Sequence, residues 1–375
     1  MDLRLSQEQE MIRDGVTRFV RDDYEFATRR IGAVSDLGFR EEVWQQFADL
    51  GWLGAALPEE YGGFGGSAIE TMILMEAFGR GLVLEPYLWS VVLGGALLQQ
   101  GATSAHKEQV LPEISSGKAR IAFAFAEPGS RFNLAHIGMT AKKDGDGYRL
   151  NGNKTVVYYA ASAEYLIGSA RLGGAKTDRE GIALFLLPSD AKGITRRDYA
   201  TQDDQRASEI IFKDVQVDAA ALFKCGDDAL PVIENAIDVA TAAICADAVG
   251  AMGALREMTL EYLKTRKQFG RAIGEFQVLQ HRMAEMFILE EEARSMALRA
   301  ALMLDAPAPA RKKAVSAAKS LIARAGRQIG QEAVQMHGGM GMTHELSVGH
   351  YFKRLTMIGS MFGDGDFHRK RFAAL

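Results

Sequence analysis

Apolar positions recur every three or four residues through the first third of the chain. Met11, Ile12, Val16 and Phe19 share one helical face, and Ser6 with Gln9 supplies a capping box ahead of them. A second amphipathic run, Glu41 to Leu50, predicts a helix that buries Val43, Phe47 and Leu50. The stretch Leu57-Pro58-Glu59-Glu60-Tyr61-Gly62-Gly63-Phe64-Gly65-Gly66 then breaks the period and reads as a loop, with a helix from about Ser67 to Gly79 behind it. Those glycines suit a tight connection better than a phosphate grip, because no Lys-Ser/Thr follows them.

From about Ala119 the period shortens. Ile121 to Phe125, Tyr148 to Leu150, Thr155 to Tyr159, Ile182 to Leu187 and Glu209 to Val217 are strand-like runs. Turn signals separate them: Asp144-Gly145-Asp146-Gly147, Asn151-Gly152 and Pro188-Ser189-Asp190. From about Asp228 the helical pattern returns. Ile233, Ile237, Ala240, Ile244, Ala248, Met252, Leu255 and Tyr262 predict one long, alanine-rich helix ending near Arg266-Lys267-Gln268-Phe269-Gly270, with glycine near its C-cap. Two more long helices follow, about Glu275 to Leu304 and Ala310 to His337, with Pro307 and Pro309 marking the connection. The expected domains are 1–118 (helical), 119–225 (β) and 226–375 (helical bundle).

Composition narrows the class without choosing a function. The chain has 375 residues, 47% hydrophobic and 25% charged, which suits a globular protein with a large core. A net charge of −4 gives no electrostatic reason to expect nucleic acid or an anionic membrane as partner. Neither the two cysteines, Cys225 and Cys245, nor the seven histidines show metal-ligand spacing, so no metal is expected. There is no run of about eighteen uninterrupted apolar residues and no signal-peptide core at the N-terminus, so the expected location is cytoplasmic.

Five motifs, in this order and spacing, resemble the acyl-CoA dehydrogenase family over essentially the whole chain. They are Pro58-Glu59-Glu60-Tyr61-Gly62-Gly63, Ala126-Glu127-Pro128-Gly129, Leu150-Asn151-Gly152-Asn153-Lys154, Arg266-Lys267-Gln268-Phe269-Gly270 and Gln335-Met336-His337-Gly338-Gly339. The resemblance implies a mainly α fold with a middle β domain: N-terminal helices, a β-barrel-like middle and a C-terminal four-helix bundle. It implies FAD as cofactor, an acyl-CoA thioester as substrate and an electron-transfer flavoprotein as acceptor. A carboxylate base would remove the α-proton while the β-hydrogen leaves to the flavin. By the same resemblance Arg266, Phe269, Gln277, Gln335, Gly338 and Gly339 are the cofactor-binding candidates, serving the diphosphate, ribose and adenine of an FAD held mainly by the adjacent subunit. A guanidinium suits a diphosphate because its planar donors engage two oxygens together.

Other family positions depart from the pattern. Where members have Thr-Glu-Pro-Gly-Ala-Gly-Ser-Asp, this chain has Ala126-Glu127-Pro128-Gly129-Ser130-Arg131-Phe132-Asn133. Val156-Val157-Tyr158 replaces the Trp-Ile-Thr that packs on the flavin ring. The catalytic glutamate, nine residues after the arginine matching Arg354, becomes Gly363, and the alternative base position is Ala240. The catalytic residue is therefore unknown.

Two explanations follow. A displaced Asp364 or Asp366 could act as base in an autonomous enzyme, although Asp364-Gly365-Asp366 also reads as a turn and N-cap. Alternatively, the chain resembles the small subunits of heteromeric acyl-CoA dehydrogenases, of the pimeloyl-CoA dehydrogenase kind. It would then lend diphosphate contacts to a companion subunit that carries the base in an α2β2 heterotetramer. A flavoprotein of this fold with oxygen or nitroalkane chemistry and a flavin-free binding module are the other readings.

Overall fold

A computed structural model describes residues 4–225 and 229–375. In chain order the helices are α1 (Gln7–Asp22), α2 (Phe26–Val34), α3 (Glu41–Asp49), α4 (Ala68–Gly81), α5 (Gly95–Gly101) and α6 (Ser104–Ser115). The strands β1 (Ile121–Ala124), β2 (Thr140–Asp144), β3 (Gly147–Tyr158), β4 (Tyr165–Arg171), β5 (Ile182–Pro188), β6 (Ile194–Ala200) and β7 (Arg206–Asp218) follow. Then come α7 (Leu230–Thr265), a hairpin of β8 (Lys267–Gln268) and β9 (Arg271–Ala272), α8 (Gln277–Leu302), α9 (Ala308–His337), α10 (Val348–Ser360) and α11 (Gly365–Ala373). The chain packs as two units, one of residues 1–30, 68–83 and 241–375, the other of 31–67 and 84–240.

In the first unit the long helices carry the core. Ser6 caps α1 through the expected capping box, and Val16 and Phe19 are its buried positions. Here the apolar series of α7 is buried from Ile244 to Leu255, and the helix, long and apolar enough to cross a membrane, has 94% of its apolar window buried within the protein. Glycines let α4 and α7 touch backbone to backbone. A Cβ on Gly79 would overlap the Asp247 carbonyl, and one on Gly250 would overlap that of Glu76. Glu290, buried on α8, takes Arg294 at 3.0 Å and Arg256 at 2.5 Å.

The second unit is built on a seven-stranded sheet in the order β1-β4-β2-β3-β7-β6, with β5 pairing to β4. β5 is buried along almost its whole length, which explains its unbroken apolar run. A π-helix, Tyr87–Gly94, is buried throughout and carries Trp89 and Ser90, whose Oγ accepts from the β1 amide of Ile121 at 2.9 Å.

Several sequence expectations change here. Leu50 is 54% exposed, and Trp44 is buried with Val43 and Phe47 on α3 instead. Asn151-Gly152 is no hairpin turn: β3 runs through it, and the register slips beside Gly152 and again before Val157, as β-bulges do. β2, β4 and β6 were not anticipated; β6 is an edge strand with Arg196, Arg197 and Asp198 exposed, so no apolar alternation marks it. The stretch after α7 is a hairpin rather than a plain helix stop, and Pro309 lies inside the first turn of α9, where its missing N–H is harmless. The expected helix start at Asp228 lies outside the described residues, and α7 begins at Leu230.

Candidate functional site

The six candidate residues gather at one end of the first unit. At the end of α7 the Tyr262 ring stacks on His337 with 4.4 Å between centroids, and its hydroxyl donates to the His337 carbonyl at 3.4 Å. Arg282 of α8 pairs with Glu332 of α9 at 2.9 Å, which fixes the antiparallel register of these helices. Arg266, one turn beyond Tyr262, thereby shares an end with Gln277, the first residue of α8, and with Gln335, Gly338 and Gly339 at the close of α9. All six are exposed. Gly338 takes a φ of +60° and donates its N–H to the Gln335 carbonyl, a cap that favours glycine. Nothing lies within 4 Å of where a Cβ on Gly338 or Gly339 would stand, so this backbone is open to approach.

The hairpin adds an aromatic feature. Phe269 and Gly270 both adopt positive φ, +53° and +77°, as a two-residue hairpin turn requires. This puts the Phe269 side chain 90% in solvent, with its ring edge-on to Phe276 at 6.2 Å. The Arg271 guanidinium lies 4.1 Å from the Phe276 ring centroid, a cation–π contact beside Arg266 that motif matching had not singled out.

The position expected for the base is closed. Gly363 is buried with φ +122°, and a Cβ there would collide with the Phe367 ring and stand 2.7 Å from His368 Nε2. Lys319 of α9, buried and part of none of the motifs, donates to the Gly363 carbonyl at 2.7 Å and to that of Gly359 at 3.3 Å. Burial pushes its ammonium down to about 8, against the opposing influence of Cys245 and Asp364. Asp364 is the N-cap of α11, accepting from the Phe367 amide at 2.8 Å, and Asp366 is ion-paired with Arg369. Asp364 thus has the N-cap role that the turn signal implied, and Asp366 has a structural partner of its own in Arg369. Ala240, the alternative position, is buried and has no proton acceptor.

His368 is buried, its Nδ1 3.3 Å from Ser316 Oγ and its Nε2 3.2 Å from the Phe362 carbonyl. Burial, with the Lys319 and Arg371 charges, pushes its pKa down to about 3. Between pH 6.5 and 3 the unfolded chain therefore binds a proton that the folded chain refuses, so stability falls as pH drops through this window. Urea titrations at pH 7, 6 and 5 should show a shallower acid loss in His368→Asn than in wild type, by up to about 1.4 kcal/mol per pH unit. Equal slopes would place the proton uptake elsewhere.

In the second unit two of the motifs meet. Lys154 Nζ, fully buried, donates to Glu127 Oε1 at 2.9 Å, Ser169 Oγ at 2.9 Å and the Phe125 carbonyl at 3.3 Å. Glu127 also accepts from the amides of Gly138 (2.6 Å) and Met139 (2.9 Å). Burial raises its pKa, but Lys154 and these amides outweigh that and hold the carboxyl below its ordinary range. Burial likewise pushes Lys154 down to about 8 although Glu127 pulls it up. Within the second bulge, Val156 takes a φ of +52°, a strained conformation for a β-branched residue. Tyr158 lies flat on Trp89, centroids 3.8 Å apart and planes 5° from parallel, both rings buried. Trp89 Nε1 donates to Gln205 Oε1 at 2.8 Å. Among the described residues no group of three or more His, Cys, Asp or Glu is placed to hold a metal.

Comparison with known proteins agrees with this geometry. Three family models match in order: the acyl-CoA dehydrogenase N-terminal domain over residues 6–118, the middle domain over 122–215 and the C-terminal domain over 229–374. A probable acyl-CoA dehydrogenase of Bacillus subtilis, YngJ, is 30% identical across 98% of both chains. Among solved structures, a chain of the ChsE4-ChsE5 complex from Mycobacterium tuberculosis superposes with a TM-score of 0.89 at 27% identity, covering 100% of this chain and 98% of that one. The FAD complex of PigA gives 0.90 at 26% identity with the same coverage. These matches support FAD as the cofactor. With three consecutive domain matches and the described architecture in agreement, the chain belongs to the acyl-CoA dehydrogenase family.

Proposed function

We propose that this chain is the non-base subunit of a heteromeric FAD-dependent acyl-CoA dehydrogenase, lending diphosphate contacts to a companion that carries the catalytic carboxylate. One observation carries the reading. The six residues matching the diphosphate and adenosine side stand together and exposed, whereas Gly363 is packed beneath Phe367 and His368. Asp364 and Asp366 give no ready substitute, because one caps α11 and the other holds Arg369. That a relative of this fold is described as a ChsE4-ChsE5 complex is in keeping with assembly from unlike chains.

The exposed end fits part of the cofactor. The Arg266 guanidinium would neutralise and orient the diphosphate, and the open backbone at Gly338-Gly339 admits close approach of the adenosine portion. When bound, FAD supplies the hydride acceptor for α,β-desaturation of an acyl-CoA thioester. The companion's base would take the α-proton, and an electron-transfer flavoprotein would reoxidise the complex. The expected assembly is an α2β2 heterotetramer in the cytoplasm.

In the assembled complex, Arg266→Ala should lower FAD retention after gel filtration at least tenfold, roughly the effect of losing one charged hydrogen bond. Asp364→Asn should leave turnover nearly unchanged. Loss of turnover in the second variant with FAD retained would instead assign the base to Asp364 in an autonomous enzyme. A full complement of FAD in this chain purified alone would do the same.

A further inference from the structure

A cleft of about 870 Å³ lies wholly within the second unit and contains none of the cofactor candidates. Leu186, Leu187 and Pro188, at the end of β5, give it an apolar floor, and Ala191, Ala220 and Ala221 line it without filling it. Pairing of Gly147 with Asp144 on β2 and with Asp218 on β7 brings Asp146, in the β2–β3 turn, and Asp218 to one end. The polar groups of the lining are mostly turned toward one another. Gln109 Nε2 donates to the Tyr165 hydroxyl at 3.2 Å, which donates in turn to Glu113 at 3.2 Å. Asp144 is already engaged, by Arg149 at 2.7 Å and Gln216 Nε2 at 3.3 Å. Asp146 and Asp218 are exposed and make no ion pair among the described residues, and Asp218 does not cap the one-turn 3-10 helix Ala219–Ala221 that it precedes.

His106 supplies an independent sign of a ligand. Thr103 caps α6 by accepting from the His106 amide at 3.2 Å, which fixes this residue in the first turn. The side chain is only 7% exposed and lines the cleft, yet its Nδ1 has no hydrogen-bond partner. Burial, opposed by the Ala220 carbonyl, lowers its pKa, so the ring is neutral near pH 7 and keeps one nitrogen as an acceptor. A buried polar atom left unpaired is costly until something supplies its partner. We propose that this cleft binds a small aliphatic diamine, one ammonium held by Asp146 and Asp218, the chain over Leu186, Leu187 and Pro188, and a second N–H donor directed to His106. An ammonium carries donors and no acceptor, which matches two free carboxylates and an unpaired imidazole. A carboxylate ligand would meet like charge at the acidic end.

The test is calorimetric titration of the full chain with 1,6-diaminohexane, using 1,6-hexanediol and adipate as neutral and anionic analogues. The diamine should fill one site with a dissociation constant of about 1 mM or tighter, the diol should bind at least about tenfold more weakly, and adipate should not bind. Asp146→Asn combined with Asp218→Asn should weaken the diamine at least about tenfold. Ala220→Phe, which fills the cleft without changing its charge, should do the same. Asp36→Asn with Glu180→Gln, an equal charge change at exposed positions outside the lining, should leave binding intact. Hexylamine should bind more weakly than the diamine in wild type and equally in His106→Leu. The proposal is overturned if the diamine shows no saturable binding, if the diol, adipate or hexylamine matches it in wild type, or if the cleft variants retain binding. Equal loss in the control pair would also overturn it, since any surface carboxylate would then serve. None of these readouts involves FAD or a companion subunit.

Discussion

Replacing Lys154 by methionine should lower the free energy of unfolding by about 3–5 kcal/mol, the loss expected when one partner of a buried ion pair is removed. Glu127 would keep its two amide donors, from Gly138 and Met139, but would lose the only ammonium that donates directly to it among the described residues. Ser169 would lose its donor in the same step. Methionine keeps much of the volume of the lysine stem, so the measurement reports charge and hydrogen bonding more than a cavity. Adding Glu127→Gln to the methionine variant should recover at least half of the loss, because a neutral amide is far less costly to bury. Urea denaturation of the two single variants and the double variant closes the cycle. A loss below about 1 kcal/mol for Lys154→Met would show that the amides alone satisfy the carboxylate.

The second large effect is expected at Gly363. Glutamate placed there should not create an active site. It should lower stability by about 2–4 kcal/mol, from an unfavourable left-handed backbone together with overpacking against Phe367 and His368. Alanine should show most of the same loss, since the collision begins at Cβ. Thermal unfolding of Gly363→Ala and Gly363→Glu, with a dehydrogenase assay of the latter in the absence of any companion, tests both points. Turnover by Gly363→Glu alone would mean that the Phe362–Asp364 turn opens readily and that only the carboxylate was missing.

The helices of this fold were legible because burial leaves a period in the sequence. Along α7 the apolar series from Ile233 to Leu255 is the series that the structure buries, and the capping box at Ser6 fixed the start of α1. Strands were legible only where burial was strong. β5 stood out as a continuous apolar run, whereas β6, at the sheet edge with Arg196 and Arg197 in solvent, had nothing to mark it. Asn151-Gly152 looked like a hairpin turn because local residue type cannot distinguish a turn from a bulge when the pairing partner, β7, lies much later in the chain.

Legibility of the site followed the same division. Motif resemblance named the six exposed residues, and Tyr262, His337 and the Arg282–Glu332 pair show why residues on three separate helix ends come together. It also pointed to Gly363 as the position where the family pattern leads one to expect a carboxylate. What it could not provide was the reason that the position is closed. That reason lies in Lys319 and His368, which reach the turn from α9 and α11 and carry no local signal of doing so. The Trp89–Tyr158 stack escaped for the same reason: each ring alone reads as ordinary core, and only their juxtaposition is informative.

The reciprocal glycine contact between α4 and α7 limits how this sequence can drift. Gly79 faces the Asp247 carbonyl and Gly250 faces that of Glu76, and in both cases the obstacle is main chain, which no change of neighbouring side chain can shorten. A larger residue at either position cannot be accommodated by a compensating smaller one opposite, since the opposing groups are already bare backbone. The two sites are therefore closed to stepwise exchange. Over evolutionary time the helix crossing should persist as a fixed point around which the surrounding contacts are rewritten.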